Sequence, residues 1–229
     1  MILMTGDLSP YSAKIRMQIY AMGITDIKFE TPMKLLTGKF KEVSPIGRIP
    51  ALDVEGTIIP ESEIIAEYLD EIYPEESMVG DTPLERAQVR TVSRIADIYL
   101  MNNIFMSLSQ LMTKTPNQGI LDLLLGQVNR GIGALEQHIG KGDYAVGDKL
   151  TRADCTLVPA LWMCQGTVPR LGGENPIPGT EKVAAYWEKI QKNEYADKII
   201  GEMKRGMKAR LDGTEAKMRA AAIEKAGNA

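Results

Sequence analysis

One stretch of this chain constrains its fold more than any other, Gly47-Arg48-Ile49-Pro50-Ala51-Leu52, followed after a short gap by Glu61-Ser62-Glu63-Ile64-Ile65. The pattern is typical of a proline-led strand, a tight turn at Glu55-Gly56, a second strand and a helix start. Because proline has no N–H to donate to a sheet ladder, it belongs at the first residue of a strand or on an edge. The sequence therefore predicts a hairpin that leads directly into a helix.

The same stretch predicts a binding site for a small peptide. A proline at the strand start leaves the backbone of Ile49 free to pair with something outside the sheet. The helix start at Glu61-Ser62 supplies a hydroxyl, backbone N–H groups and a positive dipole end, where a carboxylate can bind. A free peptide edge beside a carboxylate pocket is what a short peptide ligand requires.

The elements before residue 74 alternate between strand and helix. Strands are expected over residues 2–5, 27–30, 49–54 and 57–59, with helices from Pro10 to Gly23 and over residues 62–72 and a helical turn within residues 39–44. Pro10 suits a first helical turn, and Gly23 suits a helix C-cap. The order β-α-β-α-β-β-α predicts a compact mixed sheet with helices on its faces.

The second part of the sequence is helical throughout. Helices are expected over residues 83–112, with a kink near Asn102-Asn103, and over 117–138, 152–165 and 181–192. From Lys198 on, the chain is charged, Ala-rich and helix-prone, and we expect it to fray into a mobile tail. With a linker at residues 74–82, the predicted domains are 1–76 and 82–229, the second one all-helical.

Composition excludes several classes of function. The 229 residues carry a net charge of −3, whereas a nucleic-acid binder is usually clearly basic. Cys155 and Cys164 lie in one expected helix, too far apart for a local bridge, and with the single histidine His138 they give no metal-ligand spacing. We expect no membrane-spanning segment, no signal peptide and no metal, and a reduced, cytoplasmic setting.

Ser9 begins the first helix and admits two interpretations. As an N-cap, its hydroxyl accepts an N–H from a residue two or three positions along. As a functional group, it donates its hydroxyl hydrogen to an anion held at the helix start. A thiol ligand placed there ionises more easily, because the donor and the helix dipole both favour the thiolate.

These motifs together resemble the cytosolic glutathione transferases, in a serine-type, bacterial-like form. The likeness covers nearly the whole chain. It consists of a thioredoxin-like βαβαββα unit, the motifs Ser9-Pro10-Tyr11-Ser12, Gly47–Leu52 and Glu61-Ser62, and an all-helical remainder. Each motif is only moderately specific, and their order and spacing carry the resemblance. It implies an α+β thioredoxin-like domain followed by an all-α domain, with glutathione as co-substrate.

The resemblance also assigns residues to the glutathione site. It implies that Pro50 is cis, that the Ile49 backbone pairs with the cysteinyl part of glutathione, and that Glu61 and Ser62 hold the γ-glutamyl carboxylate. Arg48 belongs to the same motif. For the glycyl carboxylate, Lys41 is the candidate and Lys39 the reserve.

The residues of the first motif indicate the subclass. Positions 9 and 12 are both serine, and no cysteine precedes Cys155, so thiol–disulfide exchange through an enzyme cysteine is not expected. No tyrosine ends the first strand, and Tyr11 falls inside the helix start, where it packs or lines the site. The choice between Ser9 and Ser12 as thiolate stabiliser stays open.

The electrophile is expected to bind between Ser9 and the long helix after the linker. The lining residues proposed for it are mostly apolar and polarizable: Tyr11, Tyr99, Met101, Asn102, Asn103, Phe105, Met106, Met112, Trp162 and Met163. For each of them alone, helix–helix core is the competing interpretation, since methionine also simply fills cores.

A capping box at Thr151 and Asp154 is assigned a structural role. Arg94 and Asp97 fall where family dimers meet, which implies a homodimer.

The leading hypothesis is a detoxifying transferase that activates glutathione for attack on a small, apolar or aromatic electrophile. A glutathione-dependent isomerase and an ether-cleaving enzyme begin with the same thiolate, and organic hydroperoxide reduction needs no further residue. The zeta-type isomerase signature, Ser-Ser-Cys at the first helix, is missing here. A non-catalytic glutathione-binding or ligand-binding protein on the same scaffold is the alternative from a different class.

Overall fold

The computed structural model describes residues 1–227, which divide into two compact units. The first unit contains Met1–Ser77 and the chain from Lys198 on, and the second contains Met78–Asp197. The strands are β1 (Ile2–Met4), β2 (Lys28–Glu30), β3 (Ala51–Val54) and β4 (Thr57–Pro60). The helices are α1 (Pro10–Ala21), α2 (Met33–Leu36), α3 (Ser62–Ile72), α4 (Pro83–Ile95), α5 (Asn102–Leu111), α6 (Gln118–His138), α7 (Arg152–Thr167), α8 (Lys182–Ile190), α9 (Glu194–Leu211) and α10 (Thr214–Gly227).

The strands form one mixed sheet in the order β2-β1-β3-β4. β1 is parallel to β2 and antiparallel to β3, which is in turn antiparallel to β4. Beyond β4 the described residues contain no further strand. The predicted fold class, an α+β thioredoxin-like domain followed by helices, is confirmed.

Helix α1 is buried on all sides, although its sequence suggests an apolar face only. Every residue from Ser12 to Ile19 is buried, including Lys14, Arg16 and Gln18. Lys14 forms an ion pair with Glu63 on α3, and the Gln18 side-chain amide donates to the carbonyl of Ala66 at 3.0 Å. Because buried polar groups need such partners, these bonds make a central position of α1 possible.

The end of the chain differs from the expected mobile tail. Residues from Lys198 on form most of α9 and all of α10, and they belong to the first unit rather than to an 82–229 domain. The physical reason is burial: Ile199 and Met203 are fully buried, and Glu202 pairs with Arg16 of α1. One of the charges that suggest a solvated tail, Glu202, therefore anchors α9 to the thioredoxin-like unit.

The expected long helix after the linker is interrupted by a π-helical segment, Ala96–Met101. It lies just before the predicted kink at Asn102-Asn103. The Asn103 side-chain amide donates to the carbonyls of Ile98 and Tyr99, at 2.9 Å each. These bonds satisfy carbonyls within a turn whose bonding pattern differs from that of the α-helix.

Helix α7 forms the buried centre of the second unit. Its residues from Arg152 to Leu161, which include Cys155, are all buried, and so is Cys164; neither cysteine forms a disulfide bond in the described part of the chain. Burial raises the pKa of the Cys164 thiol above its ordinary value. A neutral, enclosed thiol reacts poorly, which agrees with a packing role for both cysteines.

Two absences hold for residues 1–227. None of these helices is both long enough and apolar enough to span a bilayer. Nor does this part of the chain bring together three or more histidine, cysteine or acidic side chains in a metal-binding arrangement.

The capping box at the start of α7 is present and fully buried. Asp154 Oδ2 accepts hydrogen bonds from the Thr151 N–H at 2.8 Å and the Thr151 hydroxyl at 3.1 Å. Its Oδ1 accepts from the Ala145 N–H at 2.9 Å and the Tyr186 hydroxyl at 3.0 Å. The carboxylate therefore joins α7, α8 and the preceding loop.

We expect Asp154→Ala to lower the free energy of unfolding by about 3 kcal/mol, because buried donors lose their acceptor. Urea denaturation measures this change. Thr82→Ala is the control, since Thr82 caps the exposed start of α4 through the Glu85 N–H, and its loss should cost about 1 kcal/mol. Equal losses in the two variants would contradict a buried network at Asp154.

Candidate functional site

The register of the sheet brings three sequence motifs to one end of it. Met4 pairs with Ala51, and Ala51 pairs with Pro60. The loop after β1 leads to Ser9, Ile49-Pro50 immediately precede β3, and Glu61-Ser62 follow β4. Three motifs that are far apart in the sequence therefore lie next to strand residues at the same end of the sheet.

Ser9 caps α1 and has a hydrogen available for a ligand. Its backbone is extended (φ −79°, ψ 112°), and its Oγ accepts the Ser12 N–H at 3.3 Å. A hydroxyl that accepts can still donate its own hydrogen, so capping and anion binding are compatible at this residue. Ser9 is partly exposed.

Ser12 is placed differently from Ser9. It is fully buried, and its Oγ has no hydrogen-bond partner among the described residues. An oxygen enclosed by protein cannot touch a ligand that approaches from the sheet end. The geometry therefore favours Ser9 over Ser12 for any contact with an anion at this helix start.

The Ile49-Pro50 peptide bond is cis, as the resemblance implies. Pro50 is buried, and β3 begins only at Ala51, so the expected strand over residues 49–54 is shorter at its start. A Cβ on Gly6 would lie 3.1 Å from the Cδ1 of Ile49. The loop before Ser9 and the loop before Pro50 therefore lie in close contact.

Glu61 has a backbone conformation that residues with a Cβ rarely adopt. Its φ of 68° and ψ of 117° lie outside the regions available without strain. Such strain is typically kept where a site requires it. Glu61 is exposed, whereas Ser62, the first residue of α3, is 6% exposed.

The N-terminus of α3 lacks the side-chain cap that several other helices have. Within the described residues, the Glu61 side chain makes no capping hydrogen bond to α3. In contrast, Ser9, Thr82 and Asn117 cap α1, α4 and α6. The first N–H groups of a helix are strong donors to anions when no side chain uses them.

A second helix of the same protein demonstrates how such N–H groups hold a carboxylate. Glu136 accepts hydrogen bonds from the N–H groups of Lys182 and Val183 at the start of α8, at 2.9–3.0 Å. Desolvation raises the pKa of Glu136, but these N–H bonds outweigh it and bring the pKa below its ordinary value. A ligand carboxylate at α3 would meet the same type of donor.

The basic candidates lie in the loop between α2 and β3. Lys39, Lys41 and Arg48 are all exposed. Gly47 has a φ of 71°, and a Cβ there would lie 2.7 Å from the Cγ of Lys41. The aliphatic part of Lys41 therefore contacts Gly47, which is two residues before Ile49. For Arg48, the only argument for a role in binding is its position in the motif.

Arg16 is the main residue that the sequence interpretation missed. Its guanidinium donates to the Thr5 hydroxyl at 2.6 Å, to the Gly6 carbonyl at 3.0 Å and to the Asp7 carbonyl at 3.2 Å. It also binds Glu202 of α9 at 2.7 Å. The available signal was a basic residue between two apolar ones, Ile15 and Met17, on a helix predicted to pack on the sheet.

The proposed electrophile-site residues of the second unit differ in exposure. Asn102, Phe105 and Met106 on α5 are exposed, while Tyr99 and Trp162 are partly exposed. Asn103 is 8% exposed, and its amide is bound to carbonyls of the π-helical segment. Asn103 therefore stabilises the helix, and its amide does not line a binding site. Tyr11, in the first turn of α1, is partly exposed.

Family models match most of both units. The model of the glutathione S-transferase N-terminal domain matches residues 3–77, and the model of the glutathione S-transferase C-terminal domain matches residues 95–194. The glutathione S-transferase of Methylobacterium radiotolerans in complex with glutathione sulfonate has a similar structure, with a TM-score of 0.76. That match has 16% identity and covers 87% of this chain and 93% of that chain. It shows a shared fold.

Two relatives carry more specific names. A maleylacetoacetate isomerase of Pseudomonas aeruginosa is 35% identical over 127 residues, which is 54% of this chain and 59% of that protein. A stringent starvation protein A homolog of Coxiella burnetii is 24% identical over 194 residues, or 85% of this chain and 88% of that protein. The chain thus spans little more than half of the first of these relatives.

The backbone of Glu61 leads to a prediction about stability. Glu61→Gly should raise the free energy of unfolding by about 1 kcal/mol, because relief of 1–3 kcal/mol of strain exceeds the entropic cost of glycine. Glu71→Gly, in the exposed last part of α3, should lower it by about 1 kcal/mol. Urea denaturation compares the two, and a loss of stability in both would contradict strain at Glu61.

Proposed function

The chain belongs to the glutathione S-transferase family, and on that premise we propose that it binds glutathione and ionises the glutathione thiol for attack on a small electrophile. The observation that carries the proposal is the sheet register that unites Ser9, Ile49 and Ser62 at one end. A tripeptide bound at that end of the sheet would have a backbone partner, a carboxylate pocket and a hydroxyl within one site. The apolar and aromatic character of Tyr99, Phe105 and Met106 supports an apolar or aromatic electrophile.

Each residue of the site has a distinct task in this proposal. The Ile49 backbone pairs with the cysteinyl part of glutathione, and Glu61, Ser62 and the first N–H groups of α3 hold the γ-glutamyl end. Lys41 faces the glycyl carboxylate, and Arg48 adds positive charge nearby. Ser9 donates its hydroxyl hydrogen to the sulfur, which lowers the thiol pKa and stabilises the thiolate.

Isomerisation is a second candidate, favoured by the 35% identity to a maleylacetoacetate isomerase. Thiolate addition to an activated alkene begins both reactions. A transferase releases the conjugate, whereas an isomerase releases the rearranged alkene and recovers glutathione. Mass spectrometry of the products from a cis-enedione substrate and from chlorodinitrobenzene distinguishes these outcomes.

Calorimetry and ultraviolet spectroscopy test the shared premise. We expect heat of binding with glutathione and a thiolate absorbance band that titrates below the free thiol pKa of about 8.5. Binding without this band would favour a non-catalytic binding protein. No heat of binding would end the proposal.

We further propose that the protein is a cytoplasmic homodimer whose subunits meet near Arg94 and Asp97. Sedimentation velocity tests whether the dimer forms.

Ser9→Ala should lower turnover by roughly tenfold to a thousandfold, because one donor to the developing anion is lost, while glutathione affinity hardly changes. Turnover at saturating glutathione and calorimetry measure the two quantities. The variant also loses a helix cap worth about 1 kcal/mol, so the assay belongs well below the unfolding temperature.

Ser12→Ala is the matched comparison for Ser9→Ala. The Ser12 hydroxyl is enclosed and has no partner in residues 1–227, so its removal should leave turnover close to that of the wild type. A large loss in Ser12→Ala together with normal turnover in Ser9→Ala would exchange the roles of the two serines.

Ser62→Ala should weaken glutathione binding by about 1.5–3 kcal/mol, the usual value of a hydrogen bond to a charged group. Turnover at saturating glutathione should change much less. Ser77→Ala removes a hydroxyl that donates to Asp70 Oδ1 at 3.2 Å, away from the start of α3, and should leave affinity unchanged. Equal affinities in the two variants would remove the carboxylate-pocket assignment.

A further inference from the structure

Helix α9 contacts the loop that carries Ser9 through a glycine. A Cβ built on Gly206 would lie 2.6 Å from the backbone nitrogen of Leu8, 2.8 Å from its Cβ and 3.0 Å from its Cα. Distances below 3 Å to backbone atoms leave no room for a side chain. Gly206 therefore permits a close approach between α9 and the residue immediately before Ser9.

The same helix binds that loop through a second, independent contact. Arg16 joins Glu202 of α9 to three oxygen acceptors of the loop, the Thr5 hydroxyl and the carbonyls of Gly6 and Asp7. The Arg16 side chain is 3% exposed and that of Glu202 is 9% exposed. Hydrogen bonds to charged groups in such an enclosed position are strong and directional.

The position of α9 is itself well supported. Ile199 and Met203 are fully buried, and Tyr20 of α1 donates its hydroxyl hydrogen to Glu202 Oε1 at 2.8 Å. Lys198 Nζ lies 3.4 Å from the centre of the Tyr20 ring. The pair formed by Arg205 and Asp7, at 3.3 Å, is exposed and adds little.

We infer that α9 positions the Ser9 hydroxyl, because Gly206 and the Arg16–Glu202 pair hold the Thr5–Leu8 loop at two separate points. Gly206, Arg16 and Glu202 are positioning residues in this inference, since they act through the loop rather than on the ligand. The inference rests on the proposed role of Ser9 in stabilising the glutathione thiolate. It gives α9 a part in setting the pKa of a thiol bound at the start of α1.

Two glycines on α9 allow a matched test. Gly206→Ala places a methyl group against the Leu8 backbone, whereas a Cβ on Gly201 has nothing within 4 Å. Both substitutions favour the helix equally by intrinsic propensity. Truncation of Arg16 or Glu202 is a poorer test, because an unpaired buried charge destabilises the whole fold.

Hydrogen–deuterium exchange of the full-length protein without ligand measures the loop directly. The amides of Ser9, Ser12 and Ala13 are bound to Gly6 O, Ser9 Oγ and Ser9 O respectively. We expect roughly tenfold faster exchange in peptides covering these amides in Gly206→Ala, and wild-type exchange in Gly201→Ala. Unchanged exchange in Gly206→Ala would overturn the inference.

Glutathione then provides the functional readout. We expect the pKa of the bound thiol, measured by thiolate absorbance, to rise by about one unit in Gly206→Ala. Turnover of chlorodinitrobenzene should fall roughly tenfold, with a smaller effect on glutathione affinity, whereas Gly201→Ala should match the wild type. Faster exchange with an unchanged thiol pKa would overturn the positioning role of α9.

The two proposals fail in different ways. If the wild type itself forms no thiolate band, the proposed function fails, and hydrogen exchange alone then decides whether α9 holds the loop. A general loss of folding would appear as a lower unfolding temperature and faster exchange in all peptides of the Gly206→Ala protein. That result would also count against a local effect of Gly206 on Ser9.

Discussion

The alignment of Met4, Ala51 and Pro60 across three strands is the constraint on which the site depends. Strand pairing has a side-chain period of two, so a slip of one residue would reverse the faces of the sheet and separate the motifs. The apolar residues Leu3 and Leu52, both fully buried and directly paired, resist such a slip. The placement of Ser9, Ile49 and Ser62 at one end of the sheet therefore depends on the core.

A second constraint is the placement of α1 at the centre of the first unit. Its polar side chains Lys14 and Arg16 could not be buried without partners, because the desolvation of a lone charge is costly. Their partners lie on different elements: Glu63 on α3 and Glu202 on α9. Each ion pair thus connects the helix that begins at Ser9 with one other helix. A hydroxyl at the start of such a helix is held by elements of the core as well as by the loop that precedes it.

Local patterns in the sequence were sufficient for the order of the strands, for most of the helices and for the cap at Ser9, but not for the short helix α2. The cis Ile49-Pro50 bond followed from the resemblance. The same patterns could not reveal the role of the chain after Lys198. Its charge content resembles that of a solvated tail, and its anchor is a pair of residues 186 positions apart. The strained backbone of Glu61, the π-helical segment near Asn103 and the buried oxygen of Ser12 also escaped the sequence, since each depends on packing around it.

A serine at the start of α1 also limits which reactions this scaffold can support. A serine hydroxyl does not exchange with disulfides, so in the proposed chemistry the reacting sulfur arrives with the ligand, and the protein only ionises and orients it. The residues proposed to ionise the glutathione thiol all belong to the first unit. Under the same proposal, groups such as Phe105 and Trp162 of the second unit would change the electrophile without changing thiolate formation. Conjugation and isomerisation can therefore share one nucleophile site, and the difference between them must be sought in the residues that meet the electrophile.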